Sequence, residues 1–137
     1  MEELLSIARE TDALSGTAAE QFYAFGFSQY QAGNWTKAME VFQILCARRP
    51  LNARFWFGLG ASLQEKKDYE NALRAWAMTA LLDPNSPYPH FHAAECSLSL
   101  KSLPNASFAL KEAETRIKES EHPLKQRISL LKTSWKL

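Results

Sequence analysis

The chain has 137 residues, of which 46% are hydrophobic and 23% charged, and its formal net charge is +1. These totals fit one soluble globular domain and disfavour nucleic acid as a partner, because polyanion binding needs a strongly basic surface. No apolar run approaches the ~18 residues of a membrane span and the N-terminus lacks the basic flank of a signal peptide, so we expect a cytosolic protein without direct membrane insertion.

Residues 1–17 are predicted to form a short leader. A helix is expected over residues 2–13, where apolar side chains follow helical spacing, and Gly16 should end it. The leader is acidic, whereas the last fifteen residues are basic. The simplest interpretation of both charge runs is a solvated helix face.

Three copies of one pattern follow the leader, at residues 18–52, 53–86 and 87–120. Gly26 recurs as Gly60, and the same interval separates Phe22 and Trp56, Ala38 and Ala72, Phe42 and Trp76, and Pro50 and Pro84. An interval of about 34 residues, with aromatic, glycine, alanine and proline at fixed positions, is the pattern of the tetratricopeptide repeat, a helical hairpin. The sequence therefore predicts an all-α fold of three tandem tetratricopeptide repeats.

Each copy is predicted to contain two helices. The pairs span residues 18–31 and 35–48, 53–66 and 69–82, and 88–100 and 104–119. A last helix is predicted within residues 121–137, with apolar positions at Leu124, Ile128, Leu131 and Trp135. We expect it to cap the stack, because a terminal repeat otherwise exposes an apolar face.

The turn inside each copy differs in one residue. Gly33 ends the first helix of the first copy, and Lys67 and Lys101 stand at the same position in the other two. A left-handed backbone is costly for lysine. These turns therefore either adopt another geometry or hold a lysine in that conformation.

The first helix of each copy carries a second apolar stripe beside the one that packs on its partner helix. In the first copy this stripe is Tyr23, Phe27 and Tyr30, at positions i, i+4 and i+7. The equivalent positions hold Phe57, Ala61 and Gln64 in the second copy, and Phe91, Glu95 and Leu98 in the third. Since the first helices of stacked repeats line the inside of the superhelix, the stripe predicts an apolar groove that receives a peptide.

Two interpretations of the aromatic column Tyr23, Phe57 and Phe91 stay open: the rings form the groove, or they only pack against their neighbours. One familiar use of such repeats, binding a partner's terminal carboxylate through lysine and asparagine, is not expected. Tyr23, Phe27, Phe57 and Ala61 stand at those positions. The ligand should therefore be an apolar segment.

Few residues suggest another chemistry. Cys46 and Cys96 fall inside predicted helices and are expected to be reduced and buried. His90, His92, Glu95 and Cys96 are close in sequence, but a closed zinc site needs four ligands and no second pair is evident. No nucleophile–base set or phosphate-binding glycine loop is recognisable. We expect no metal, no cofactor and no enzymatic activity.

Residues 54–61 (RFWFGLGA) and 89–96 (PHFHAAEC) resemble the class II, or translocator, chaperones of bacterial type III secretion. The likeness extends over residues 18–115, and His-Ala-Ala-Glu-Cys is its most specific part. The resemblance implies a protein of the bacterial cytoplasm that keeps secreted hydrophobic translocator proteins secretion-competent by gripping a short extended segment of the client in the groove.

The predicted peptide-binding residues are Tyr23, Phe27, Tyr30, Arg54, Phe57, Ala61, Gln64, Phe91, Glu95 and Leu98. The resemblance also implies a homodimer as a partner state, although family members typically carry a longer leader than residues 1–17. A different class of function stays open: a structural or regulatory adaptor that docks a secretion-apparatus component or a transcription factor through its outer face, with Arg48 and Arg49 as contacts.

Overall fold

The computed structural model describes residues 16–119 and 121–137, so the helix predicted over residues 2–13 lies outside the described residues. Across the described residues there are seven helices and no strand. In chain order they are α1 (Gly16–Gln31), α2 (Trp35–Arg48), α3 (Ala53–Glu65), α4 (Tyr69–Leu82), α5 (Tyr88–Ser99), α6 (Leu103–Thr115) and α7 (Pro123–Trp135). None of these helices combines the length and the hydropathy needed to cross a bilayer.

The helices pack as successive antiparallel hairpins. α1 pairs with α2, α3 with α4 and α5 with α6, and the second helix of each pair packs on the first helix of the next. The predicted all-α repeat architecture is confirmed. The domain boundaries placed between the repeats stay a prediction, although each predicted repeat holds one hairpin.

α6 ends at Thr115, earlier than the predicted residue 119. The cause is Arg116, whose backbone N–H donates to the carbonyl of Ala113 at 3.1 Å. Its side-chain Nη1 donates to the carbonyl of Glu112 at 2.9 Å, and its Nε donates to the carbonyl of Pro84 at 2.7 Å. The arginine side chain thus takes the carbonyl that a continuing helix would have used.

Phe42 on α2 lies between the first helices of two successive repeats. A Cβ added at Gly26 on α1 would lie 3.2 Å from the ring, and one added at Gly58 on α3 would lie 2.5 Å from it. In the second repeat Trp76 packs in the same way on Gly60, where an added Cβ would lie 2.9 Å from the indole. The repeated glycine is therefore a site where a large ring rests on bare helix backbone.

The three turns inside the repeats have one geometry. Gly33, Lys67 and Lys101 have φ angles of 82°, 65° and 60°. The next residue in each turn donates its N–H to the carbonyl five residues earlier, from Asn34 to Gln29 at 2.9 Å, from Asp68 to Leu63 at 2.9 Å and from Ser102 to Ser97 at 2.8 Å. These are the bonds of a Schellman helix ending. Of the two possibilities, both lysines take the left-handed conformation, at a cost of about 1–2 kcal/mol each.

The buried side chains form two clusters. The first joins the first two repeats and includes Phe22, Phe42, Phe55 and Trp76. The second joins the third repeat to α7 and includes Phe91, Leu110, Leu124 and Ile128. The third repeat and the last helix therefore share one core.

α7 covers the end of the stack, as predicted. The Nδ1 atom of His122 accepts from the N–H of Leu124 at 3.1 Å and caps its first turn. Leu124 and Ile128 are buried and Leu131 is partly buried, whereas Trp135 is largely exposed. Including Trp135 in the apolar face of this helix was therefore wrong.

Candidate peptide-binding groove

The first repeat presents its aromatic stripe on the surface of α1. Phe27 is 46% exposed, and Tyr23 and Tyr30 are partly buried. The ring of Tyr30 packs on Trp35 at 5.1 Å between centroids. Burial, followed by the negative charges of Glu65 and Glu95, raises the pKa of Tyr30, so its hydroxyl stays protonated and is a donor.

Tyr23 also packs inward while keeping part of its surface. Its ring lies 5.8 Å from Phe42 and 5.7 Å from Phe55, and 6.3 Å from Phe27 in a stacked arrangement. The guanidinium of Arg54 lies 4.7 Å from the ring centroid, and Arg54 pairs with Glu20. The ring thus packs against its neighbours, and its role in a groove stays a prediction.

Phe57 continues the stripe in the second repeat. Its ring meets Trp76 edge-on at 4.8 Å and His92 at 5.9 Å, and it remains partly exposed. A depression of about 280 Å³ joins Phe57 to Tyr23 and Arg54. Ala61 and Gln64 follow on the same helix and are also partly exposed.

The third repeat differs from the prediction. Phe91 is 1% exposed and Leu98 is 4% exposed. Phe91 belongs to the cluster that Leu124 and Ile128 of α7 complete, so its ring lies beneath the last helix. The expectation that these two side chains lie open on the groove is wrong, and the exposed aromatic rings of the groove lie in the first two repeats.

Glu95 stands at the third-repeat position equivalent to Phe27 and is held by side chains from three helices. Its Oε1 accepts from Nδ1 of His92 at 2.7 Å and from Nε2 of Gln64 at 3.1 Å, and its Oε2 lies 3.6 Å from Arg127. Burial alone would raise its pKa, but the hydrogen bonds from His92 and Gln64 and the charge of Arg127 outweigh that effect and lower the pKa. The groove therefore carries one fixed negative charge.

Gln64 is fixed in turn by the core. Its Oε1 accepts from the indole Nε1 of Trp76 at 2.9 Å, which leaves its amide N–H groups facing Glu95. The ring of Trp76 also stacks on His92 at 4.7 Å. The buried tryptophan thus positions both donors of the Glu95 carboxylate.

The tetratricopeptide repeat family model matches residues 23–89. Low calcium response locus protein H of Yersinia pestis is 38% identical over 104 residues, which are 76% of this chain and 62% of that protein. The match thus spans less than two thirds of that relative's length. The crystal structure of the type III secretion chaperone SycD of Yersinia enterocolitica, in complex with a peptide of the translocator YopD, is 34% identical with a TM-score of 0.85 and covers 90% of this chain and 95% of that one.

PcrH in complex with the chaperone-binding region of PopD is 38% identical with a TM-score of 0.78, over 89% of this chain and 90% of that one. These likenesses cover nearly all of both chains in each pair. The chain belongs to the translocator chaperones of bacterial type III secretion. The family resemblance seen in the sequence is thereby confirmed.

In this translocator chaperone the two cysteines are free and buried. Burial raises the pKa of the Cys46 thiol to about 12, and burial with the nearby charge of Glu95 raises that of Cys96 to about 12. A thiol needs its thiolate form to react or to bind a metal. Both cysteines therefore act as small apolar core residues.

The residues considered for a metal site face different surroundings. His90 lines a depression beside Phe108, whereas His92 stacks on Trp76 and binds Glu95. Within residues 16–119 and 121–137, no three His, Cys, Asp or Glu side chains gather closely enough to hold a metal ion.

Three residues of this translocator chaperone's groove could not be found from the repeat pattern. His92 and Arg127 contact Glu95, and Phe55 packs on Tyr23. Arg127 belongs to the helix after the last complete repeat, and Phe55 was assigned to no face. His92 contacts the rings of Trp76 and Phe57, which are distant in sequence, so its position in the repeat does not predict these contacts.

Proposed function

We propose that this chain is a type III secretion chaperone that binds an extended hydrophobic segment of translocator proteins in its concave groove. The client stays soluble and secretion-competent in the bacterial cytoplasm, and the chaperone carries out no enzymatic reaction. The observation that carries the proposal is the exposed ring of Phe27 beside the partly exposed Tyr23 and Phe57, an apolar surface on helices that pack in the core through other residues.

The family supports this assignment. SycD was crystallised with a peptide of the translocator YopD, and PcrH with the chaperone-binding regions of PopD and PopB. SycD has also been crystallised as an alternative dimer. We therefore include a homodimer as a partner state of this chain.

The first two repeats supply most of the binding surface in this proposal. Tyr23, Phe27 and Phe57 offer the apolar area, and further contacts come from Tyr30, Arg54, Ala61, Gln64 and Glu95. The buried Phe91 and Leu98 support the groove from beneath.

A segment that buries ~400 Å² of apolar surface gains about 10 kcal/mol gross at ~25 cal/mol per Å². The entropy lost on ordering the segment leaves an affinity on the order of micromolar.

The test is co-purification of a co-expressed translocator with variant chaperones. Tyr23→Ala combined with Phe57→Ala should abolish co-purification, because both changes remove groove surface. The matched control is Leu81→Ala combined with Phe108→Ala, since these two side chains are exposed on the second helices. It should leave co-purification intact.

The circular dichroism of each variant verifies that helical content is unchanged. Client binding that survives the groove double variant would count against the proposal. Loss of a partner on Arg48→Glu with an intact groove would favour the adaptor hypothesis instead.

A further inference from the structure

The two outer rings of the predicted aromatic column each carry a guanidinium from the chain itself. Arg54 lies 4.7 Å from the centroid of Tyr23, and Arg127 lies 4.5 Å from the centroid of Phe91. Cations over aromatic faces are attracted by the negative charge of the ring face. Both ends of the column thus show an affinity for a cation.

At the third-repeat end a carboxylate also attracts a cation, and this carboxylate is held more firmly than the one at the other end. The carboxylate of Glu95 is 29% exposed and is oriented by His92 and Gln64, whereas Glu20, the partner of Arg54, is 51% exposed. A carboxylate with two fixed donors keeps its position when its third partner leaves. The face of Phe91 and the Oε2 atom of Glu95, which neither His92 nor Gln64 uses, therefore form a preorganised cation site.

Arg127 occupies this site from outside the repeats. It projects from α7, which Leu124 and Ile128 anchor to the third repeat, and its own side chain is 52% exposed. Its Nη2 lies 3.6 Å from Oε2 of Glu95, longer than a good charge-assisted hydrogen bond of about 2.7–2.9 Å. The arginine is therefore held loosely and can leave without disturbing the anchor residues.

We propose that Phe91 and Glu95 form a cation-binding subsite at the third-repeat end of the groove, occupied by Arg127 in the free protein and by a lysine or arginine of the client in the complex. This inference rests on the proposed function and names one feature of its client: a basic residue beside the apolar residues that Tyr23 and Phe57 bind. Swapping one half-exposed cation for another changes affinity only modestly, within about fivefold. The subsite therefore selects among apolar segments, while the aromatic surface supplies the affinity.

The first experiment uses a displayed library of random dodecapeptides, selected on the wild-type chain and on Glu95→Gln. Both selections should enrich apolar residues, and only the wild-type selection should enrich lysine or arginine. Apolar peptides without basic enrichment on the wild type would overturn the subsite and leave the proposed function standing. Failure to enrich any peptide that depends on Tyr23 and Phe57 would overturn both.

The second experiment measures the affinity of one selected lysine-containing peptide and of its norleucine analogue. Glu95→Gln should weaken the lysine peptide about two- to fivefold and leave the analogue unchanged. Arg127→Ala should strengthen the lysine peptide a few-fold, because it removes the internal competitor.

Two exposed charges give matched controls, Glu70→Gln on α4 and Lys125→Ala on α7, and neither should change the binding of either peptide. Thermal melts of Glu95→Gln separate loss of folding from loss of recognition. Equal losses for the lysine peptide and its analogue would contradict the inference.

Discussion

At the scale of single residues, the rings of Phe42 and Trp76 decide how closely successive repeats approach. Phe42 rests against Gly58 of the following repeat. Trp76 stacks at 4.7 Å on His92, which stands at the position equivalent to Gly58 one repeat later. The same position thus accepts no side chain in one repeat and a flat ring in the next. The ring that packs on this position, and not the repeat pattern, determines which residue fits there.

Gly58→Ala tests this packing. The added methyl group would start 2.5 Å from Phe42, on a ring that is fully enclosed, so we expect the free energy of unfolding to fall by about 1–3 kcal/mol. Gly16→Ala is the control, because an added Cβ there meets nothing within 4 Å. Urea denaturation compares the two variants, and equal stabilities would refute the close approach.

At the scale of elements, the sequence of α7 continues the repeat interval beyond the third repeat. Pro123 follows Pro89 by one repeat interval, and Ile128 follows the buried Ala94 by the same interval. The last helix packs on the third repeat through Leu124 and Ile128, and Arg127 reaches back over Phe91. This placement covers the ring of Phe91 in the free protein.

Leu124→Ala tests the attachment of α7. Leu124 is fully buried, so the change should destabilise α5–α7 by about 2–5 kcal/mol and speed amide hydrogen exchange in those helices. Exchange in α1 and α2 should change far less, because they belong to the other core cluster. Leu130→Ala, at an exposed position of α7, is the control and should leave exchange near wild type.

At the scale of the whole molecule, the repeat interval predicted the structural features that depend on local sequence. The helix pairs and the exposed face of α1 follow from residues such as Gly26, Ala38 and Phe27, whose spacing alone defines them. The closure over Phe91 did not follow, because it depends on how α7 packs back on the third repeat. The network around Glu95 also joins three helices that are distant in sequence, so no local pattern reveals it.

The dependence on tertiary packing also explains why the third-repeat residues of the groove were predicted to be open. Leu98 and Phe91 stand at groove positions by helical spacing, yet both are buried, and Phe91 is buried because the third repeat and α7 share one core. Tyr23 and Phe57 were placed by the same spacing and keep part of their surface, since they lie outside the cluster that α7 completes. Spacing identifies the face of a helix, and tertiary packing decides whether that face is open.

Site-specific crosslinking of a translocator client tests whether the client binds over the aromatic stripe of α1. The photoreactive benzoylphenylalanine replaces either Phe27, 46% exposed on α1, or Phe108, 67% exposed on α6. We expect a crosslink to the client from position 27 and none from position 108, even though position 108 is the more exposed. A crosslink from position 108 with none from position 27 would contradict binding in the groove.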